Sequence, residues 1–145
     1  MKTVNGYRIE PGADLNQANL EYEDLSQMDL SNIDLSEACL KYSSFYHSNL
    51  QGANLYDADL TGADLEGANL EKADLTNANL EGANLKNANL TKAYLEGANL
   101  IETTLCGSTI DGTRLSDDEI GGPGYILCAL TDEEWKMIEN HREKK

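Results

Sequence analysis

The chain has 145 residues, with 26 acidic side chains against 11 Lys and Arg, and a formal net charge of −15. That length suits one domain, and that charge argues against direct nucleic-acid binding and against docking on anionic lipid, both of which need cationic side chains. Three cysteines without compact spacing form no disulfide framework, no segment reaches the ~18 apolar residues of a membrane span, and the start lacks a signal-peptide run, so a soluble, cytoplasmic protein without membrane association is expected.

Residues 1–12 read as an N-terminal cap, in which Val4, Tyr7 and Ile9 precede "EPG" as a short strand and turn. From 13 to 120 a period of five takes over. At positions 15, 20, 25 and onward to 115, 19 of 21 residues are Leu, and the other two are Phe45 and Ile110. Two residues earlier, 13 of 21 are Ala, and the residue just before each central one is Asn or Asp in 15 of 21. On an α-helix a step of five spirals the leucines around every face, and on a straight strand it alternates them between faces. A chain that turns after every five residues points each Leu, and the Ala before it, at a common axis. Asn, Asp and Gly suit such turns through local side-chain bonds and tolerance of left-handed backbone.

An open stack of this kind exposes a cut core at each end, so both ends need covers. Glu23 occupies an inward site near the start, where the open end lets it reach water; Met28 and Ile33, larger than Ala, fill the wider beginning. At the other end "GGPG" (121–124) breaks the pattern, and residues 121–145 read as a linker and a capping helix over about 132–143. Thr131 and Glu134 make a capping box, Leu130 and Trp135 sit at hydrophobic-staple spacing, and acidic and basic residues flank the helix as its dipole favours. Leu130, Trp135 and Ile138 are its apolar contacts, either covering the last turn of the stack or joining two copies as a C-terminal homodimer.

The run "ADLTGADLEGANLEKADLTNANLEGANL" resembles the pentapeptide-repeat family, A(D/N)LxX, over roughly 13–117. The resemblance implies an all-β fold, a right-handed quadrilateral parallel β-helix with one pentapeptide per side. It implies about five coils and a column about 25 Å tall at ~4.8 Å per coil. Residues twenty apart then stack. Tyr22 falls under Tyr42, Glu21 under Lys41 and Glu66 under Lys86, the last two as opposite-charge neighbours.

The stretch "KYSSFYHSNL" loosens the repeat. Phe45 takes a buried central site, with the small inward residues Ser43 and Ser48 beside the larger ring, as close packing demands. Tyr42, Tyr46, His47 and Tyr56 take sites the family points outward. They are the candidate partner-binding surface, because Tyr is enriched at interfaces; the bland alternative is stacking on neighbouring coils.

No Ser/His/Asp arrangement, phosphate-binding glycine loop or CxxC pair is present, and a leucine-filled column has no concave pocket, so no enzyme, catalytic residue or cofactor is expected. Asp14 under Asp34 makes at most a weak cation site, so no metal is expected. Cys39 and Cys106 lie more than three coils apart; Cys106 and Cys128 could approach at the C-terminal end, but three free thiols are the default expectation. The function expected is a rigid acidic scaffold for an unidentified protein partner. The alternative, which the resemblance raises, is DNA mimicry toward a type II topoisomerase such as gyrase. Residues 13–117 hold eighteen acidic and five basic side chains, a net of −13, or about one charge per 1.9 Å against ~1.7 Å in B-DNA.

Overall fold

In the computed structural model, which describes residues 2–114, the central residue of each pentapeptide also starts a turn. The carbonyl of Leu30, for example, accepts from the Ile33 amide at 3.2 Å, and the same bond recurs from Leu15–Ala18 to Ile110–Thr113. Within each turn the second corner residue has positive φ, as a type II turn requires. Twenty-one such corners run from Gly12 to Gly112, eight of them Gly and the other thirteen side-chain-bearing residues such as Tyr22, His47, Lys72 and Glu102. The left-handed position therefore falls on the variable residue of the repeat. The repeated Asn or Asp instead braces the corner that follows it. Its Oδ1 accepts from the amide two residues on, as Asp14 does from Asn16 at 3.2 Å and Asp74 does from Thr76 at 3.0 Å.

Four corners return the chain to its starting side. Single-residue parallel pairings twenty apart run without a slip from Asp14↔Asp34 to Tyr94↔Arg114. Each pairing has two backbone bonds; at Asn49 they are Asn49 N–H to Met28 O (2.9 Å) and Leu30 N–H to Asn49 O (2.7 Å). The sides are too short to form extended strands, so the all-β expectation holds as a four-sided stack of paired single residues. Along one side the amides form a ladder, Asn89 donating to Asn69, Asn69 to Asn49 and Asn49 to Asp29, at 3.0–3.1 Å. The acceptor-only carboxylate of Asp29 terminates it correctly.

The core is the expected one. The central residues from Leu15 to Leu105, Phe45 included, are buried, as are the inward alanines from Ala53 to Ala98. Each buried leucine contributes about 1.5–3 kcal/mol before entropy. Ser43 and Ser48 are also buried, and each hydroxyl bonds the carbonyl three residues back, at 2.6 and 2.8 Å. Thr103 and Thr113 fill inward sites late in the stack, with hydroxyls on the carbonyls of Leu80 and Leu90 in the preceding coil. Ile33 is fully buried and Met28 half-buried, consistent with a looser first coil.

The N-terminus differs from expectation in detail. Two strands form an antiparallel hairpin, β1 (Lys2–Val4) and β2 (Tyr7–Ile9). Asn5 and Gly6 turn between them with φ of 49° and 83°, the pair that a type I′ turn favours. Val4 and Ile9 are buried in the core, and Asn5 donates to the Glu23 carboxylate at 3.0 Å. Glu23 is half-buried and bonded to the hairpin as well as reaching solvent. The expected C-terminal linker and helix, with Leu130, Trp135 and Ile138, and the cysteine Cys128 lie outside the described residues.

Several corner side chains lie across a glycine one coil later. A Cβ at Gly62 would stand 2.5 Å from the Tyr42 ring, whereas a Cβ at Gly82 would meet nothing within 4 Å. Both have φ near +65°. Gly82→Ala is therefore expected to cost the left-handed term alone, about 1–2 kcal/mol, and Gly62→Ala that term plus displacement of Tyr42. Paired urea melts check this, and equal losses would mean that Tyr42 swings aside freely.

Candidate functional site

With the interior filled, what the molecule offers is its corners. The most exposed large hydrophobic side chain among those described is Tyr22, at 70%, followed by Tyr42 at 53%. Their rings stack nearly parallel, 11° apart with centroids at 5.3 Å, as positions twenty apart should. At the next corner Tyr46 and His47 meet edge to face at 4.3 Å, and the His47 ring lies over Gly67. Tyr56 projects from the corner on the other side of Tyr42 and is 40% exposed.

The four residues expected to form one surface thus divide. Tyr42 joins Tyr22, Tyr46 joins His47, and among the described residues no ring pair links Tyr56 to either. Sequence reasoning placed Tyr22 under Tyr42 but left it out of the candidate surface. It also missed Tyr94, whose ring carries the Arg114 guanidinium at 4.9 Å on a flat side of the column. The signal was available: Tyr94 replaces the usual Asn or Asp, and Arg114 is twenty residues further on.

The expected vertical ion pairs need correction. Lys41 bonds Asp59 at 3.2 Å rather than Glu21, and Glu66 accepts from Asn84 at 3.2 Å rather than pairing with Lys86. Both partners stand eighteen residues on, as do Asn79 for Thr61 and Asn99 for Glu81. The first corner residue leans back toward the preceding side, where the next coil's polar column is nearer than its own image.

Three carboxylates in these columns, Asp24, Asp29 and Asp59, are stabilised as anions. The hydroxyls of Ser26 and Ser31, then their backbone N–H groups, hold Asp24 and Asp29 below the usual carboxylate value. At Asp59 burial pushes the carboxyl up, but the Thr61 hydroxyl and N–H and the Lys41 ammonium together outweigh it, and the net shift is downward. Lys41 is raised in turn, chiefly by its bond to Asp59. A lowered folded-state value gives stability that is complete above the ordinary carboxyl pKa, 3.8 for Asp, and is lost as pH falls through the folded value. The urea midpoint should therefore fall as pH drops below about 4. Asp59→Asn keeps an acceptor for Thr61 and removes the charge, so its acid limb should be shallower than that of the wild type; parallel limbs would remove Asp59 from the cause.

Asp14 and Asp34 do stack, and among the described residues no group of three His, Cys, Asp or Glu is arranged to hold a metal ion. Cys39 is a free thiol, but Cys106 is disulfide-bonded to a partner outside the described residues. The expectation of three free thiols therefore fails at Cys106.

Fold and surface together define a four-sided repeat solenoid with a filled interior and aromatic side chains at several of its corners. The family model for pentapeptide repeats matches residues 13–52, 53–91 and 83–117, with eight copies in all, and the chain belongs to that family. Membership implies the right-handed, quadrilateral β-helix. A pentapeptide-repeat protein from the Arabidopsis thaliana thylakoid lumen is 38% identical, with a TM-score of 0.57, over 74% of this chain and 71% of that one. Another, from the cyanobacterium Cyanothece 51142, is 37% identical with a TM-score of 0.47, over 72% of this chain and 89% of that one. Comparison with curated proteins gave no match.

Proposed function

We propose that the protein is a non-enzymatic, rigid acidic scaffold that binds another protein through its corners. The observation that carries this reading is the set of exposed tyrosines held at adjacent corners of a column whose interior is filled by Leu and Ala. Tyr supplies large amphipathic contact area at low conformational-entropy cost, and a regular backbone ladder presents it without rearrangement. Capture from the native host, comparing wild type with a variant carrying Ala at Tyr42, Tyr46, His47 and Tyr56, tests it. Loss of specific partners in the variant supports the reading, and the same partners from both would remove these corners from it.

The second reading is mimicry of duplex DNA toward a type II topoisomerase such as gyrase. It is favoured by the net charge of −13 over 13–117. Against it, two of the four polar columns hold a single Asp each, Asp59 and Asp29, the other two are interrupted by Asn54 and Ser44, and Asp14–Asp34 is the one consecutive Asp pair among the described residues. Inhibition of gyrase supercoiling that fades as salt rises would support mimicry, and no inhibition at large molar excess would remove it.

Compartment is a separate proposal. The cytoplasmic expectation rested only in part on free thiols, and the bond at Cys106 bears on that part alone, because disulfides persist in oxidising compartments. We propose an oxidising compartment. Alkylating the protein at the moment of harvest and counting modified cysteines checks this: one supports it, and all three would return the protein to the cytoplasm.

A further inference from the structure

Resting on the scaffold reading, we propose that the N-terminal corner bearing Tyr22 and Tyr42 docks an arginine-bearing segment of the partner protein. The two stacked rings form an exposed aromatic ledge. Tyr42 is seated over Gly62, and Gly82 follows in the same column, so the ledge is confined to two coils. Beside it an open cleft of about 390 Å³ is lined by Asn5, Tyr7, Asn19 and Glu21. Glu21 and Tyr22 are the two residues of one corner.

The charges around this corner decide the occupant. Lys2 bonds the backbone carbonyl of Asp24, Arg8 pairs with Glu10 at 3.5 Å, and Lys41 pairs with Asp59 at 3.2 Å. The nearby cations are therefore engaged, and Glu21 stands beside the ledge without an ion pair among the described residues. Lys41, bonded to Asp59, acts on Glu21 only as a longer-range charge, and an exposed aromatic face next to a carboxylate without a direct ion pair favours a planar cation. A guanidinium can lie on the tyrosine face while its fork pairs with the carboxylate, whereas an ammonium offers a compact point charge. The molecule already contains this contact in Arg114 over Tyr94. The net charge of −15 steers a basic segment toward the surface but does not select between corners.

The test uses an alternating glycine–arginine hexapeptide and its glycine–lysine counterpart, equal in charge, with affinity measured by anisotropy and tyrosine ring resonances followed by NMR. The arginine peptide is expected to bind about three- to fivefold more tightly and to shift the rings of Tyr22 and Tyr42. Tyr22→Ala should abolish that preference, Glu21→Gln should weaken binding of the arginine peptide, and Tyr56→Ala should change neither. Glu21→Gln alters an exposed corner and remains informative if Tyr22→Ala is unstable. Equal affinity for the two peptides, equal losses in the Tyr56 variant, or ring shifts confined to Tyr46 and His47 would each overturn the proposal for this corner. The scaffold reading fails separately, when capture from the native host yields no partner at all.

Discussion

Phe45→Ala is expected to lower stability by about 3–5 kcal/mol, while Phe45→Leu should cost less than about 1.5 kcal/mol. Phe45 is fully buried and stands in the one column of central residues interrupted by an aromatic, between Leu25 and Leu65 one coil to either side. Truncation to Ala removes a whole ring from a shaft whose backbone is tied coil to coil by bonds of 2.7–3.0 Å. The walls cannot collapse to fill the void, so the cavity remains. Leucine restores most of the volume in the side chain that the other central sites use. The Ser48 hydroxyl bonds the Phe45 backbone carbonyl and is untouched by either change. Denaturation followed by circular dichroism on the three proteins measures both losses. A Leu variant as unstable as the Ala variant would mean that the coil is shaped to the ring and that leucine cannot substitute.

Ala63→Glu tests the same shaft with charge. The column of inward residues on this side runs Glu23, Ser43, Ala63, Ala83 and Thr103, so the chain already holds a glutamate two coils away. Glu23 tolerates its place because it is half-buried beside the hairpin and accepts from Asn5 at 3.0 Å. Ala63 is wholly buried among leucines and alanines. A carboxylate there has no partner, and the expected loss at neutral pH is about 3–5 kcal/mol. Burial raises the pKa of such a group. The charge penalty is therefore full above the raised folded-state value and fades as pH falls toward the ordinary Glu value of about 4.3, where the carboxyl is neutral in both states. Ala63→Gln carries the same bulk without the charge, and its deficit should not depend on pH. Identical pH profiles for the Glu and Gln variants would show that crowding alone is responsible. Glu23→Ala, by contrast, gives up one partly exposed hydrogen bond, about 1 kcal/mol.

Much of the column was legible because burial repeats at every fifth residue without a slip. Leu15 through Leu105 and the inward alanines are where the period places them, and the Asn/Asp position bonds the next corner locally, as those side chains do in turns. The strip Phe45, Ser43 and Ser48 could also be read as packing, since its residues replace large and small members of one repeat. Less legible was which residue turns left-handed. Tyr22, Lys72 and Glu102 have no propensity for positive φ, and the coil-to-coil bonding imposes it on them. The candidate surface was legible by exposure alone. Its division into Tyr22–Tyr42, Tyr46–His47 and an isolated Tyr56 follows from which corner each occupies.

What the sequence determined by itself is everything carried by its period: the turning chain, the leucine shaft, the alanine row beside it and the acidic outer wall. The reason is that burial of one residue in five is a local rule, satisfied identically in each repeat and readable without knowing what lies above or below. Only the tertiary structure decided which exposed groups meet. The lean of Lys41 to Asp59, the ring of Tyr42 over Gly62, the hold of Asn5 on Glu23 and the bond at Cys106 all depend on the offset between successive coils or on the ends of the stack. A repeat of five carries no record of either.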